Sequence, residues 1–402
     1  MVEHRLRYMK KAAKQIGVGG ITLGEKEKGY LSKVIASSRL SYGPFSRKFE
    51  QKFAKAHGAQ FGLFMNSGTS ALQVALAALK EKYKWQDRDE VLVPAATFIA
   101  TSNIVLQNNL KPVFVDADPQ TYNINPALIE KKITKKTRCI IPVPLFGLPC
   151  DMGSIMNIAK RYNLKVLEDS CETMFATYQG KPVGSFGDIA CFSTYVAHLI
   201  VTGVGGLAIT KNKDLAVMMR SIMNHGRDSI YISIDDDKGK KGKELQEIVK
   251  KRFSFVRMGY SYRNTELEAA IALAQLERMP ELLQKRREHA RILLDSLQDL
   301  TEHLQLPVTP KDRQHSFMMF PILVKQEKKD KLVQFLEERN IETRDMPTTL
   351  NQPYYQKVFG NILAQYPVCK NMVEKGFYIG CHPYMTKQEV AYIAKTIHDF
   401  YA

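Results

Sequence analysis

Between about residues 60 and 210, short apolar runs alternate with longer stretches whose apolar positions recur every three or four residues. The runs 61–65, 91–93, 112–116, 139–145, 165–168, 189–193 and 206–210 are short and bounded by polar or glycine-containing segments, as buried strands are. Between several of them lie segments of helical period, such as 71–84 and 152–162. Strands alternating with helices predict an α/β domain around a mostly parallel central sheet.

From Thr265 the period lengthens into a helix through Leu267, Ala270, Leu273 and Leu276. Pro280 predicts a break before a second helix over 281–300, because its ring cannot continue the hydrogen-bond ladder. The last third mixes a strand at 317–324, a helix at 329–339 and a final helix from Lys387, which predicts a smaller C-terminal α+β domain. The expected organisation is an N-terminal helical segment over 1–30 packed on the small domain, a large domain over 31–278 and a small domain over 279–402. The polar, lysine-rich stretch 229–257 reads either as an active-site flap or as a surface excursion.

Composition changes this picture little. With 402 residues and 45% hydrophobic content the chain can bury a large core in two domains. No apolar run approaches the roughly 20 residues of a membrane helix, and the basic N-terminus lacks the apolar core of a signal peptide. The expectation is a cytoplasmic protein with no membrane partner. The net charge of +17 is spread along the chain, and its one dense patch, 238–243, lies beside the acidic run 235–237 like a solvated loop. Nucleic-acid binding is therefore not expected, whereas a diphosphate-bearing substrate would use a few of these cations. The six cysteines form no C-x-x-C pair, so neither a metal site nor a disulfide framework is expected.

Four segments carry candidate chemistry. Asn66-Ser-Gly68-Thr69-Ser70-Ala71 follows a strand and opens a helix, where small residues and free N–H groups suit an anion but also make an ordinary cap. Leu167-Glu-Asp169-Ser-Cys-Glu172 brings carboxylates to a strand's carboxyl end, a place for an acid, a base or a metal ligand. Ser193 precedes His198 by five residues, and the glycines of Gly203-Val-Gly-Gly206 let the backbone return tightly. Phe98, in Pro94-Ala-Ala-Thr97-Phe98, is either a core ring or a platform for a planar ligand.

In this order and spacing the segments resemble the DegT/StrS family of sugar aminotransferases, which bind pyridoxal phosphate. The likeness extends through Leu40-Ser-Tyr-Gly43-Pro44, Pro142-Val-Pro-Leu-Phe-Gly147, Gly259-Tyr-Ser261-Tyr-Arg263 and Gln275-Leu276-Glu277. It implies the fold-type I PLP-dependent transferase architecture and a homodimer with a shared active site. It also implies that Gly68, Thr69, Ser70 and Ser193 face the cofactor phosphate, Phe98 stacks on the ring, Asp169 partners the ring nitrogen and Glu172 lies near the ring hydroxyl. Ser261 stands where the family has an asparagine reaching the neighbouring subunit's phosphate. Substrate contacts are expected at Arg227, Arg344 and His382, with Arg344 in a loop resembling a substrate-facing one.

The departure at position 198 decides the chemistry. Family members usually carry there the lysine that anchors the cofactor covalently. An imidazole cannot form that bond, yet it can move a proton near neutral pH. A histidine at this place resembles a subgroup that includes GDP-4-keto-6-deoxymannose 3-dehydratase, with pyridoxamine 5'-phosphate as the working cofactor form and His198 as base. The expected reaction is 3-dehydration of a nucleotide-linked 4-keto-6-deoxy sugar. Because no closely spaced cysteine set is present to hold an iron–sulfur centre, glutamate is the expected amino donor. Two alternatives remain: a nucleotide-sugar aminotransferase with an exchanged base, and a degenerate, non-enzymatic binder of cofactor or sugar.

Overall fold

The computed structural model describes residues 12, 14–228, 237–326 and 328–402. Seven strands form the central sheet: β1 (Phe61–Met65), β2 (Glu90–Pro94), β3 (Lys111–Val115), β4 (Thr137–Ile140), β5 (Lys165–Asp169), β6 (Ile189–Ser193) and β7 (Gly206–Thr210). Their spatial order is β1-β7-β6-β5-β4-β2-β3. Pairs from β6 through β3 are parallel, and only β7 runs against its neighbours. Every residue of β2, β6 and β7 is buried, as expected of strands covered on both faces.

The helix Gly68–Lys82, here α1, is apolar nearly all round and sits against β6 and β7. A helix of this kind belongs inside a large domain. The expected strand 139–145 ends instead at Ile140. Pro142 and Pro144 lie just beyond, and a proline lacks the N–H that a central ladder requires.

A second, antiparallel sheet is built from β8 (Leu304–Gln305), β9 (Met319–Val324), β10 (Thr343–Asp345) and β11 (Gly376–Gly380), in the order β8-β9-β11-β10. The helix Met279–Leu297, here α2, and the final helix Lys387–Tyr401, here α3, pack on each other over this sheet's separate core. Asp116, just past β3, ties the large sheet to the helix Pro367–Lys375, its carboxylate accepting from the N–H groups of Val368 and Cys369 at 3.0 and 2.9 Å.

The N-terminal segment is helical only in part among its described residues. Residues 1–11 and 13 lie outside the described set, and 14–24 run without helix. Ile16 instead pairs with the small domain: its N–H donates to Asn340 O at 2.8 Å and its carbonyl accepts from Glu342 N at 3.0 Å. Among the described residues helix begins at Glu25–Ser37, which packs on the helix Glu266–Leu276. Of the stretch 229–257, residues 229–236 are not described, and Gly242–Lys251 forms a helix. Its return strand pairs with the segment before it, Val256 N–H donating to Gly226 O at 2.9 Å.

Candidate active site

The carboxyl ends of β5 and β6, the start of α1 and the edge of the small sheet enclose a cavity of about 390 Å³. Gly68, Thr69, Phe98, Asp169, Glu172, Ser193 and His198 all line it. A site at the carboxyl end of parallel strands is the general rule for open α/β sheets.

One wall is suited to an anion. Ser67 caps α1, its Oγ accepting from Ser70 N at 3.0 Å, while the first N–H groups of the helix have no intrahelical acceptor. Gly68 leaves room that any side chain would take: a Cβ there would lie 2.7 Å from Ser193 Cβ and 2.9 Å from Cys171 Sγ. Gly206 is required from behind, since its Cβ would meet Gly68 N at 2.4 Å.

The opposite wall is acidic. Strand periodicity sends Glu168 and Asp169 to opposite sides of the sheet. Glu168 is spent on structure, accepting the N–H groups of Gly184, Phe186 and Gly187 at 2.7–2.9 Å. Asp169 faces the cavity, accepting from Thr101 Oγ1 at 2.7 Å and Cys171 N at 3.3 Å. Among the described residues no cation pairs with it, and burial raises its carboxyl above the usual range. Glu172 accepts from Phe146 N at 3.0 Å, and burial, reinforced by the nearby Asp169, raises it to about 7.

His198 stands on the cavity wall with its Nδ1 buried and without a hydrogen-bond partner. Burial lowers its pKa to about 4, against a smaller opposing effect of the Cys171 backbone, and Arg286 lowers it further. The imidazole is therefore neutral at neutral pH. Phe98 caps the cavity mouth, 61% exposed.

The remaining candidates do not line this cavity. The Ser70 hydroxyl lies just behind the cradle, accepting from Ser67 Oγ at 2.9 Å. Ser261 Oγ accepts from Arg263 at 2.8 Å on a neighbouring turn. Arg227 lies over the rings of Phe253 and Phe255. Arg344 pairs with Glu342, although it sits opposite the cavity-lining Tyr378 in the β10–β11 register. His382 is buried beside Gly20 of the N-terminal segment, with burial lowering it to about 4.

The structure adds residues the sequence reading gave no role: Thr101 on Asp169, Tyr195 beside His198, and Met318, Met319 and Tyr378 from the small domain. Thr97 and Thr101, four apart at a helix start, carried a faint signal; Tyr378 carried none, being more than 200 residues from Glu172. All six cysteines are unpaired, five buried and Cys171 on the cavity wall. Among the described residues no group of three or more His, Cys, Asp or Glu side chains could hold a metal ion, and no helix is long and apolar enough to cross a membrane.

Comparison with known proteins agrees with this geometry. Residues 22–398 match the profile of the DegT/DnrJ/EryC1/StrS aminotransferase family. GDP-perosamine synthase of Escherichia coli O157:H7 is 34% identical over 97% of this chain and 99% of its own length. The dTDP-4-dehydro-2,6-dideoxy-D-glucose 3-dehydratase of Saccharopolyspora spinosa is 32% identical over 95% and 86%. The solved E. coli GDP-4-keto-6-deoxy-D-mannose-3-dehydratase with bound hydrated PLP superimposes with a TM-score of 0.86 at 26% identity, over 97% of this chain and 100% of that one. The architecture is thus that of the fold-type I PLP-dependent transferases.

Proposed function

The chain belongs to the DegT/DnrJ/EryC1/StrS aminotransferase family, and on that premise we propose that it is a 3-dehydratase of a nucleotide-linked 4-keto-6-deoxy sugar. The observation that carries this reading is the cavity wall itself, where His198 stands and no lysine is found among the lining residues. A site without an amine cannot anchor the cofactor covalently, so pyridoxal 5'-phosphate or its pyridoxamine form is held by contacts alone.

The residues present fit that group. Gly68 and Thr69 N–H groups with the Ser193 hydroxyl hold the phosphate at the positive end of α1. Asp169, a buried carboxylate lacking a cation, partners a protonated ring nitrogen, and Thr101 orients it. Phe98 covers one ring face, and Glu172 faces the ring hydroxyl. When bound, the pyridoxamine form supplies the amine that joins the sugar's keto carbon and a ring that accepts electrons. His198, neutral and mostly enclosed, takes up and returns a proton at a ring nitrogen, while the enclosing walls exclude water from that transfer. Glutamate is the amino donor that restores the amine form.

The site is completed by a second copy of the chain. Phe98, Tyr195 and Val204 gather large exposed apolar surface at the cavity mouth, which a homodimer would cover. Ser261 of one copy would then serve the phosphate of the other. A second reading, amine transfer to the sugar, is favoured by the 34% identity to GDP-perosamine synthase.

Incubation with cofactor, glutamate and a panel of 4-keto-6-deoxy nucleotide sugars separates the readings. A 3-deoxy product with 2-oxoglutarate is expected, abolished in His198→Asn; a 4-amino sugar from the unaltered enzyme would overturn the dehydratase reading. Borohydride should fix cofactor to His198→Lys but not to the native chain.

A further inference from the structure

Arg286 is 2% exposed in the middle of α2, and among the described residues no carboxylate pairs with it. Its pKa is lowered by burial to about 10, so it still carries its charge at neutral pH. Burying a cation without a counter-ion is expensive, and an apolar side chain would fill the space at less cost. What the guanidinium does there is visible in its contacts. Nη1 donates to the carbonyls of Phe317, Met318 and Cys381 at 3.2, 2.9 and 3.2 Å. Nη2 donates to the carbonyl of His198 at 3.0 Å.

The four carbonyls come from three segments far apart in the chain. Phe317 and Met318 lead into β9, with Phe317 held in the left-handed region at φ 48°, a conformation a bulky residue adopts only under constraint. Cys381 follows β11 directly. His198 lies on the loop after β6, and Met318 lines the same cavity as its ring. A planar fork with fixed donors can join all three, whereas a lysine's single head cannot.

Resting on the reading of His198 as the base, we propose that Arg286 is its positioning residue, a buried guanidinium that pins the His198 backbone to the small domain and keeps a fixed positive charge near the imidazole. The groups facing that imidazole are few. Tyr195 flanks it on its own loop, Cys171 approaches from the end of β5, and Asp169, Glu172 and Tyr378 share the cavity. The carboxylates would favour a protonated ring, and Arg286 is the fixed positive charge that opposes it. Both burial and this charge lower the His198 pKa. The free base is the form able to accept a proton, and a group with a lowered pKa remains free base until the pH falls through that value.

The test is NMR titration of histidine ring signals in the full-length, cofactor-free protein, with His198 assigned by its loss in His198→Asn. In the native chain its midpoint is expected near 4. Arg286→Gln should raise it measurably, and Arg286→Lys should leave it low while loosening the loop. A midpoint unmoved in a folded Arg286→Gln overturns the proposal. Should that variant not fold, Arg286→Lys decides: a midpoint near the ordinary histidine value of about 6.5 overturns it. This titration is independent of catalysis, so full turnover by His198→Asn would sink the base reading without touching the effect of Arg286.

Discussion

At the scale of single residues, two side chains on the cavity wall dominate the proposed site, His198 and Glu172. On the proposed reading, histidine for lysine removes the covalent anchor and leaves a base. Glu172 adds an acid whose carboxyl is raised to about 7 by burial and by Asp169. The native state then binds more protons than the unfolded chain between the ordinary carboxyl value and about 7. Stability from this group is complete at low pH and is lost as pH rises through 7. Glu172→Gln keeps an acceptor for Phe146 N–H and removes the titration. Denaturant unfolding of the cofactor-free protein should therefore show the variant gaining on the native chain between pH 5 and pH 8, by on the order of 1–3 kcal/mol. An equal difference at both pH values would mean that Glu172 titrates normally. The identities at 172 and 198 were legible in the sequence, because they sit at fixed distances from Asp169 and Ser193. The perturbed acidity was not, because it comes from burial and from neighbours gathered by the fold.

Among the elements, α1 and β6 matter most, since the proposed cofactor cradle is the gap between their ends. Gly68 and Gly206 keep that gap open from two sides. Gly68→Ala places a methyl group 3.2 Å from Ser193 Oγ, inside the space a phosphate needs. Overpacking of this kind costs about 1–3 kcal/mol, so affinity for pyridoxal phosphate should fall about tenfold or more, read by cofactor fluorescence. Affinity equal to the native chain's would place the phosphate elsewhere. Most strands of the large sheet fell within a residue or two of their expected positions, because fully buried parallel strands are written as unbroken apolar runs. The stretch 139–145 was over-extended because its apolar side chains continue past Ile140 although its prolines end the ladder. The helix Gly242–Lys251 was not anticipated, since lysine-rich polarity hides a short amphipathic period.

For the whole molecule, the cavity is closed on one side by the small domain and left with exposed apolar residues on the other. Tyr195 and Val204 are each 54% exposed, beside Phe98 at the cavity mouth. A second copy covering them predicts a sedimentation mass of twice the 45.7 kDa chain at micromolar concentration. A stable monomer with full activity would show that one chain completes the site.

Local spacing along the chain determined the α/β class, the order of the candidate cofactor segments and a histidine five residues after Ser193, because those depend on neighbours within a few residues. Only the tertiary structure decided which carboxylate of the 168–169 pair faces the cavity and which is consumed by backbone N–H groups. It alone brought Tyr378, Met318 and Arg286 to His198, and it set Ser261, Arg227, Arg344 and His382 outside one chain's cavity. Charge, burial and contact between distant segments are properties of the packed whole, and no periodicity in the sequence encodes them locally.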